Sequence, residues 1–363
     1  MKKLSALGCQ LSAVFLLGSG IAAAQEPARF ANAKVETRDA SLLGGLEAAL
    51  RSPASSSSSA PAWFAYAMRA PGERRIHSGD GSGDGWSWHG RCRLEGGSSY
   101  VNVSDGEGDE DGTTRVLFFY RVESGRATRL RVFSDDCTVD AGGMAVTWLD
   151  GVRAPESVAY LEKLFPQAES GEKDRLPRER ILMAVALHDD PSADAALERF
   201  AAPSQPPSVR KKAAFWLGNA RGRRGHEVLK KMAASDPDEE VRRSVTFALS
   251  QSPVPEAVDT LVSMARTDGS TRVRSQALFW LAQKAGRQAA ETITDAIRDD
   301  PETEVKRKAV FALTQLPSEE STTQLIHVAR TNRNPEVRKQ ALFWLGQSKD
   351  PRALAYIEEI LTK

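Results

Sequence analysis

A chain of 363 residues, 41% hydrophobic and 27% charged, is too apolar to be disordered and long enough for at least two domains. Its 49 Lys and Arg against 48 Asp and Glu leave a net charge of +1, a balance that argues against a nucleic-acid partner.

The start, Met1-Lys2-Lys3, is followed by an apolar run from Leu11 to Ala24 relieved by Ser and Gly. Small residues at Ala22 and Ala24 precede Gln25, so 1–24 reads as a cleaved signal peptide. The run is too short to span a bilayer. Cys9 precedes it and is badly placed for lipid attachment. The expected location is periplasmic or secreted.

Two cysteines then remain, Cys92 and Cys137. In an exported chain an even count points to one disulfide, with two free buried thiols as the alternative.

Residues 25–61 hold a strand, Phe30 to Arg38, a short helix around Leu42 to Leu50, and a Ser-rich linker, 52–61. Residues 62–150 read as a small β-rich, mostly antiparallel domain. Its strands are Trp63 to Met68, Arg115 to Val122, Ala127 to Phe133 and Met144 to Leu149, with a hairpin turn at Glu123 to Arg126.

Two loops interrupt it. In His77 to His89, residues Asp80, Ser82, Asp84 and Gly85 match the opening of a calcium loop. Arg91 stands where the bidentate Glu is expected, so a glycine-rich connection fits better. The acidic 105–112 stretch reads as a second solvated connection. Trp86 and Trp88 share one side of an extended strand, as core residues or as a stacking platform for a sugar.

Helices resume at Glu156 to Phe165 and Glu179 to Phe200, degenerate units spanning 156–206. From 207 to 363 the chain repeats at a period of 32: Val209 to Leu217 returns from Val241, Val273, Val305 and Val337. Val337, Ala341 and Leu345 sit at i, i+4 and i+8 on one helix face. Asp236-Pro237, Asp300-Pro301 and Asn334-Pro335 read as N-cap and first helical position. A second helix follows in each unit, marked by Leu229, Leu261, Ile293, Leu325 and Ile357.

The core from Asn334 through Gln347 resembles the short HEAT repeats of phycobilisome-lyase-like proteins. The segment Arg121 to Phe133, with Asp136-Cys137 and Gly142-Gly143, resembles the N-terminal module of exported bacterial HEAT-repeat proteins. The resemblance implies a mainly α protein: a HEAT-like α-solenoid, 151–363, behind a small β-rich (α+β) domain.

Arg210, Arg242, Arg274, Lys306 and Arg338 recur, with Asp236, Asp268, Asp300 and Asn332 six residues before the last four. These read as structural pairs between units or as caps, in preference to an anion ladder. Trp216, Ala248, Trp280, Ala312 and Trp344 alternate large and small, which predicts a period of 64 and Trp rings packed into small neighbours. Drift at Lys230, Val262, Thr294, Ile326 and Glu358 marks an exposed second-helix face.

Catalytic, metal and cofactor signatures are missing, and His77, His89, His188, His226 and His327 are scattered. The functional expectation is a non-catalytic scaffold binding another protein through its solenoid. The alternative is a glycan or envelope-polymer module using aromatic residues of the β-rich domain.

Overall fold

The computed structural model describes residues 27–52, 60–71, 75–80, 92–95, 99–104, 115–168 and 176–362. The expected signal peptide, residues 53–59 of the linker, the glycine-rich 81–91 with Trp86, Trp88 and His89, and the acidic 105–112 loop lie outside the described residues.

Among the described residues, ten strands and one short helix come first. They are β1 Phe30–Ala31, β2 Lys34–Asp39, α1 Leu46–Arg51, β3 Ala62–Arg69, β4 Arg75–Asp80, β5 Cys92–Arg93, β6 Ser99–Ser104, β7 Arg115–Glu123, β8 Arg126–Ser134, β9 Val139–Asp140 and β10 Ala145–Asp150. The hairpin turn between β7 and β8 has positive φ at both Ser124 and Gly125, the twist that joins adjacent antiparallel strands.

The main sheet has the order β2-β10-β3-β7-β8. It is mixed: β3, β7 and β8 are antiparallel, as expected for most of the domain, while β10 lies parallel to both β2 and β3. Hairpin signals expose only pairings between neighbours in sequence. The parallel pairs join strands separated by long connections and leave no local mark.

Both faces of this sheet are covered, so β3 is an almost unbroken apolar run. Trp63, Ala65, Leu117, Phe119, Val146 and Trp148 face a core that includes Cys92, Cys137 and Val139. The short parallel strands β1, β9 and β5 lie on that side. Phe64, Tyr66, Phe118, Tyr120 and Val132 face the helices, and their core continues without a break into the repeats. The sheet thus closes the first end of the solenoid, whose apolar face needs a cover.

Thirteen helices follow: α2 Ala154–Leu164, α3 Arg178–Ala186, α4 Pro191–Ala201, α5 Pro207–Ala220, α6 Gly222–Ser235, α7 Glu239–Gln251, α8 Ala257–Thr267, α9 Thr271–Ala285, α10 Ala290–Asp299, α11 Thr303–Leu313, α12 Ser318–Thr331, α13 Pro335–Gln347 and α14 Pro351–Leu361. The stretch expected to be helical from Glu179 to Phe200 forms two helices, α3 and α4. Asp190 caps α4 by accepting from the Ser192 amide, and Pro191 takes a first-turn position.

In the repeats, the residues at i, i+4 and i+8 of α5, α7, α9, α11 and α13 are buried: Val, Ala and Leu in four of them, and Val241, Val245 and Leu249 in α7. So are Leu229, Leu261, Ile293 and Leu325 on the second helices; Ile357, on the last helix, is half-buried. The cap of α7 is Asp238, not Asp236, with its carboxylate accepting from the Glu240 and Val241 amides. Likewise α11 begins after Glu302, whereas Asn334 caps α13 as expected.

Two packing differences set the shape. Each of α8, α10 and α12 packs more extensively on the first helix that follows it than on the one before, so the tighter hairpin runs from second helix to next first helix. Neighbouring first helices also pack far more closely than neighbouring second helices. A Cβ on Gly218 would lie 2.2 Å from the Ala248 carbonyl oxygen, so α5 and α7 touch through their backbones. Between α6 and α8, in contrast, a cavity of about 770 Å³ remains. A stack compressed in one layer bends toward it, which puts the first helices on the inner side.

Candidate functional site

The recurring charges are structural. Arg210 donates to both carboxylate oxygens of Asp236, at 2.8 and 2.9 Å, and Arg242 pairs the same way with Asp268 and Arg274 with Asp300. Each rung therefore ties a first helix to the turn of the next unit, 26 residues on. Arg242 and Arg274 also donate to the carbonyls of Asp236 and Asp268, 2.8 and 2.9 Å away. The hydrogen bond to the carboxylate is the chief reason that both guanidinium groups sit above their ordinary pKa range.

The ladder changes where Asn332 replaces the acid. Its former partner is Lys306, whose ammonium turns to the Arg298 carbonyl at 2.9 Å.

The tryptophans are not enclosed. Ala248 and Ala312 are fully buried, but Trp216, Trp280 and Trp344 are half-buried at the edge of the core. They belong to a chain of rings along the first helices. Phe215 stacks on Phe247 with centroids 6.2 Å apart, and Phe279 on Phe311 at 5.9 Å. Trp280 bridges Phe247 and Phe279, both at 4.9 Å, and Trp344 bridges Phe311 and Phe343 at 5.1 and 5.0 Å. The pattern repeats every second unit, as the 64-residue alternation predicts.

Residues flanking this chain recur as well. One turn before each Phe stand Lys211, Arg243, Ser275, Arg307 and Lys339; one turn after stand Asn219, Gln251, Gln283, Gln315 and Gln347. Sequence reasoning missed the amide row, although its period of 32 was open to view. At Ser275 the row of long side chains is interrupted, and a cavity of about 600 Å³ opens over Phe279 and Phe311 with Arg243, Arg272, Lys308 and Glu304 among its lining residues.

The expected second-helix face is uneven. Lys230 and Glu358 are exposed, but Val262, Thr294 and Ile326 are half-buried, and Val262 and Ile326 pack on the core. The groove between α6 and α8 has polar walls, where His226 and Thr260 meet at 3.0 Å.

Cys92 and Cys137 form a disulfide with Cα atoms 6.0 Å apart, buried on the far side of the sheet from the helices. Among the described residues of that region, the aromatic side chains of Trp63, Phe64, Tyr66, Phe118, Phe119, Tyr120, Phe133 and Trp148 are buried, and Phe30 is half-buried.

Where the sheet meets the helices, His188 Nε2 lies 2.8 Å from Ser157 Oγ and its Nδ1 2.8 Å from the Ala184 carbonyl. Ser157 continues to Tyr66, at 2.5 Å, and Tyr66 to Tyr120, at 3.2 Å. Burial pushes the imidazole down to about 4 and the Tyr120 phenol well up. All four side chains are sealed from solvent, so the Ser–His contact joins domain to domain without an approach for substrate.

These features define an α-solenoid of HEAT-like repeats with a sheet closing its first end. The family model for HEAT repeats matches residues 194–282 and 290–363, each match beginning on a second-type helix. No curated protein matches the chain. Among solved structures, the chain is similar to the complex of CpcE and CpcF of phycocyanin lyase from Nostoc sp., at 24% identity, 44% of this chain, 100% of that one and a TM-score of 0.34. It is similar to human deoxyhypusine hydroxylase at 16% identity, 58% of this chain, 80% of that one and a TM-score of 0.31. Kap121p follows at 12% identity, covering 52% of this chain and 25% of that one, with a TM-score of 0.33.

Proposed function

We propose that this protein is an exported, non-catalytic scaffold that holds another protein against its solenoid. The observation that carries this reading is the division of labour within each unit. Val, Ala, Leu and the Arg–Asp rungs are used up in stacking, whereas half-exposed Phe, basic and amide residues recur on the first helices with no part in that core. Repeated residues beyond what stacking needs support an extended contact surface. The sealed Ser157–His188 pair supports a non-catalytic role.

Capture of a partner by the full mature chain tests it. Charge reversal at Lys230 or Lys339, both exposed on the solenoid, should weaken capture with an unchanged melting temperature. Loss of capture only with reversal of Arg126, exposed on the sheet, would assign binding to the β-rich region instead.

A further inference from the structure

The first helices carry one three-part stripe five times: a polar residue, a half-exposed Phe one turn later, an amide one turn after that. In four of five stripes the first member is Lys or Arg. Ring stacking explains the Phe but requires neither neighbour. Gln283 donates to Gln315 at 2.8 Å at the surface, and Gln315 to the Thr314 hydroxyl at 2.8 Å. Each amide carries a donor and an acceptor side by side, the complement of a peptide unit.

Spacing narrows the ligand. Packed helices lie about 8–10 Å apart, and three residues of polyproline-II chain advance about 9.3 Å. A chain in that conformation, laid across the first helices, presents the same side every third residue and meets one stripe with each.

Charge gives the sign. Arg243 and Arg307 rest on Glu240 and Glu304 of their own helices in exposed pairs, which contribute little and exchange readily. Lys211, Lys212 and Lys339 have no ion pair among the described residues. The opening at Ser275 has a floor of two stacked rings and is edged by Arg243, Arg272 and Lys308, whose ion pairs with Glu239, Glu240 and Glu304 are all exposed and open to exchange.

We infer that the first-helix face binds an extended acidic polypeptide segment, main chain against the amide row, carboxylates toward the basic row, one apolar side chain seated over Phe279 and Phe311 at the Ser275 gap. This rests on the scaffold reading and names the chemistry of the partner and the layer it uses.

The test is fluorescence anisotropy of the full mature chain with a labelled twelve-residue peptide repeating aspartate, leucine and proline. The same peptide with lysine for aspartate is the control. The acidic peptide should bind at least tenfold more tightly than the basic one, and more weakly as salt rises. Ser275→Arg, which fills the gap, and Gln283→Ala should each weaken it at least fivefold with the melting temperature unchanged. Binding insensitive to both substitutions, equal binding of the basic peptide, or no binding would overturn the inference. So would full competition by heparin that is itself insensitive to Gln283→Ala, because heparin has no peptide backbone to read. If the peptide fails while a protein partner is still captured and lost with Lys230→Glu, the inference falls and the scaffold reading stands.

Discussion

Single residues settle what the recurring charges do. The Arg210 and Asp236 side chains are 4% and 2% exposed, so neither charge is screened by water. Asp236→Ala strands a guanidinium in the core and should cost about 3–5 kcal/mol in denaturant melts; a loss below about 1 kcal/mol would mean the rung is dispensable. The position where the ladder changes offers the converse. Lys306→Arg with Asn332→Asp rebuilds a rung and should add about 1 kcal/mol, with neither single change doing so. Pairing between neighbouring units was legible in the sequence; which acid serves which Arg was not, because Asp236 and Asp268 also stand six residues before Arg242 and Arg274. The bond instead spans 26 residues to the next unit. His188 makes a second claim at this scale. Its imidazole titrates near 6.5 when unfolded and near 4 when folded, so below about pH 6.5 the unfolded chain holds a proton that the folded chain refuses. Stability should be full above that pH and fall as pH drops toward 4, by about 3 kcal/mol from this group. His188→Gln should flatten that part of the curve in melts at stepped pH, and an unchanged slope would contradict the assignment.

At the level of helices and strands, periodic contacts were legible and non-local ones were not. Each repeat buries a Val, a Leu and between them an Ala (Val245 in α7), so one period marks every first helix, and Asp-Pro marks several starts. The same signal stood at Asp190-Pro191, where the break between α3 and α4 was passed over. The aromatic residues were taken for core because Phe and Trp usually are; in this layer they lie on its rim. Trp280→Ala accordingly removes two ring contacts from a half-buried site. It should cost about 2 kcal/mol, less than the 3–5 of an enclosed aromatic. A loss of 4 kcal/mol or more would show the ring to be core after all. The pairing of Cys92 with Cys137 closes a separation of 45 residues, for which chain entropy gives on the order of 4 kcal/mol. Non-reducing mass mapping of exported protein should find that linked pair, and free thiols at both positions would count against it.

The whole molecule is held together by a core that does not respect the boundary at 150. Sheet residues Tyr66, Phe118 and Tyr120 belong to the same apolar cluster as the repeats, and the Leu130 carbonyl accepts from Arg180 at 2.9 Å. The boundary was placed in the sequence where strands give way to helices. A change of element type is not a gap in packing, and the contacts of the sheet with α2, α3 and His188 reveal the difference. A chain cut after 150 would expose that surface, so intact protein is the proper subject for binding experiments. The central claim is that the solenoid holds the partner. The most direct test is a photo-crosslinking residue placed in the full mature chain at Ser275, Lys230 or Arg126 in turn, with the adducts identified by mass. One protein partner crosslinked from Ser275 or Lys230 and not from Arg126 is the result expected here. Adducts from Arg126 alone would contradict it.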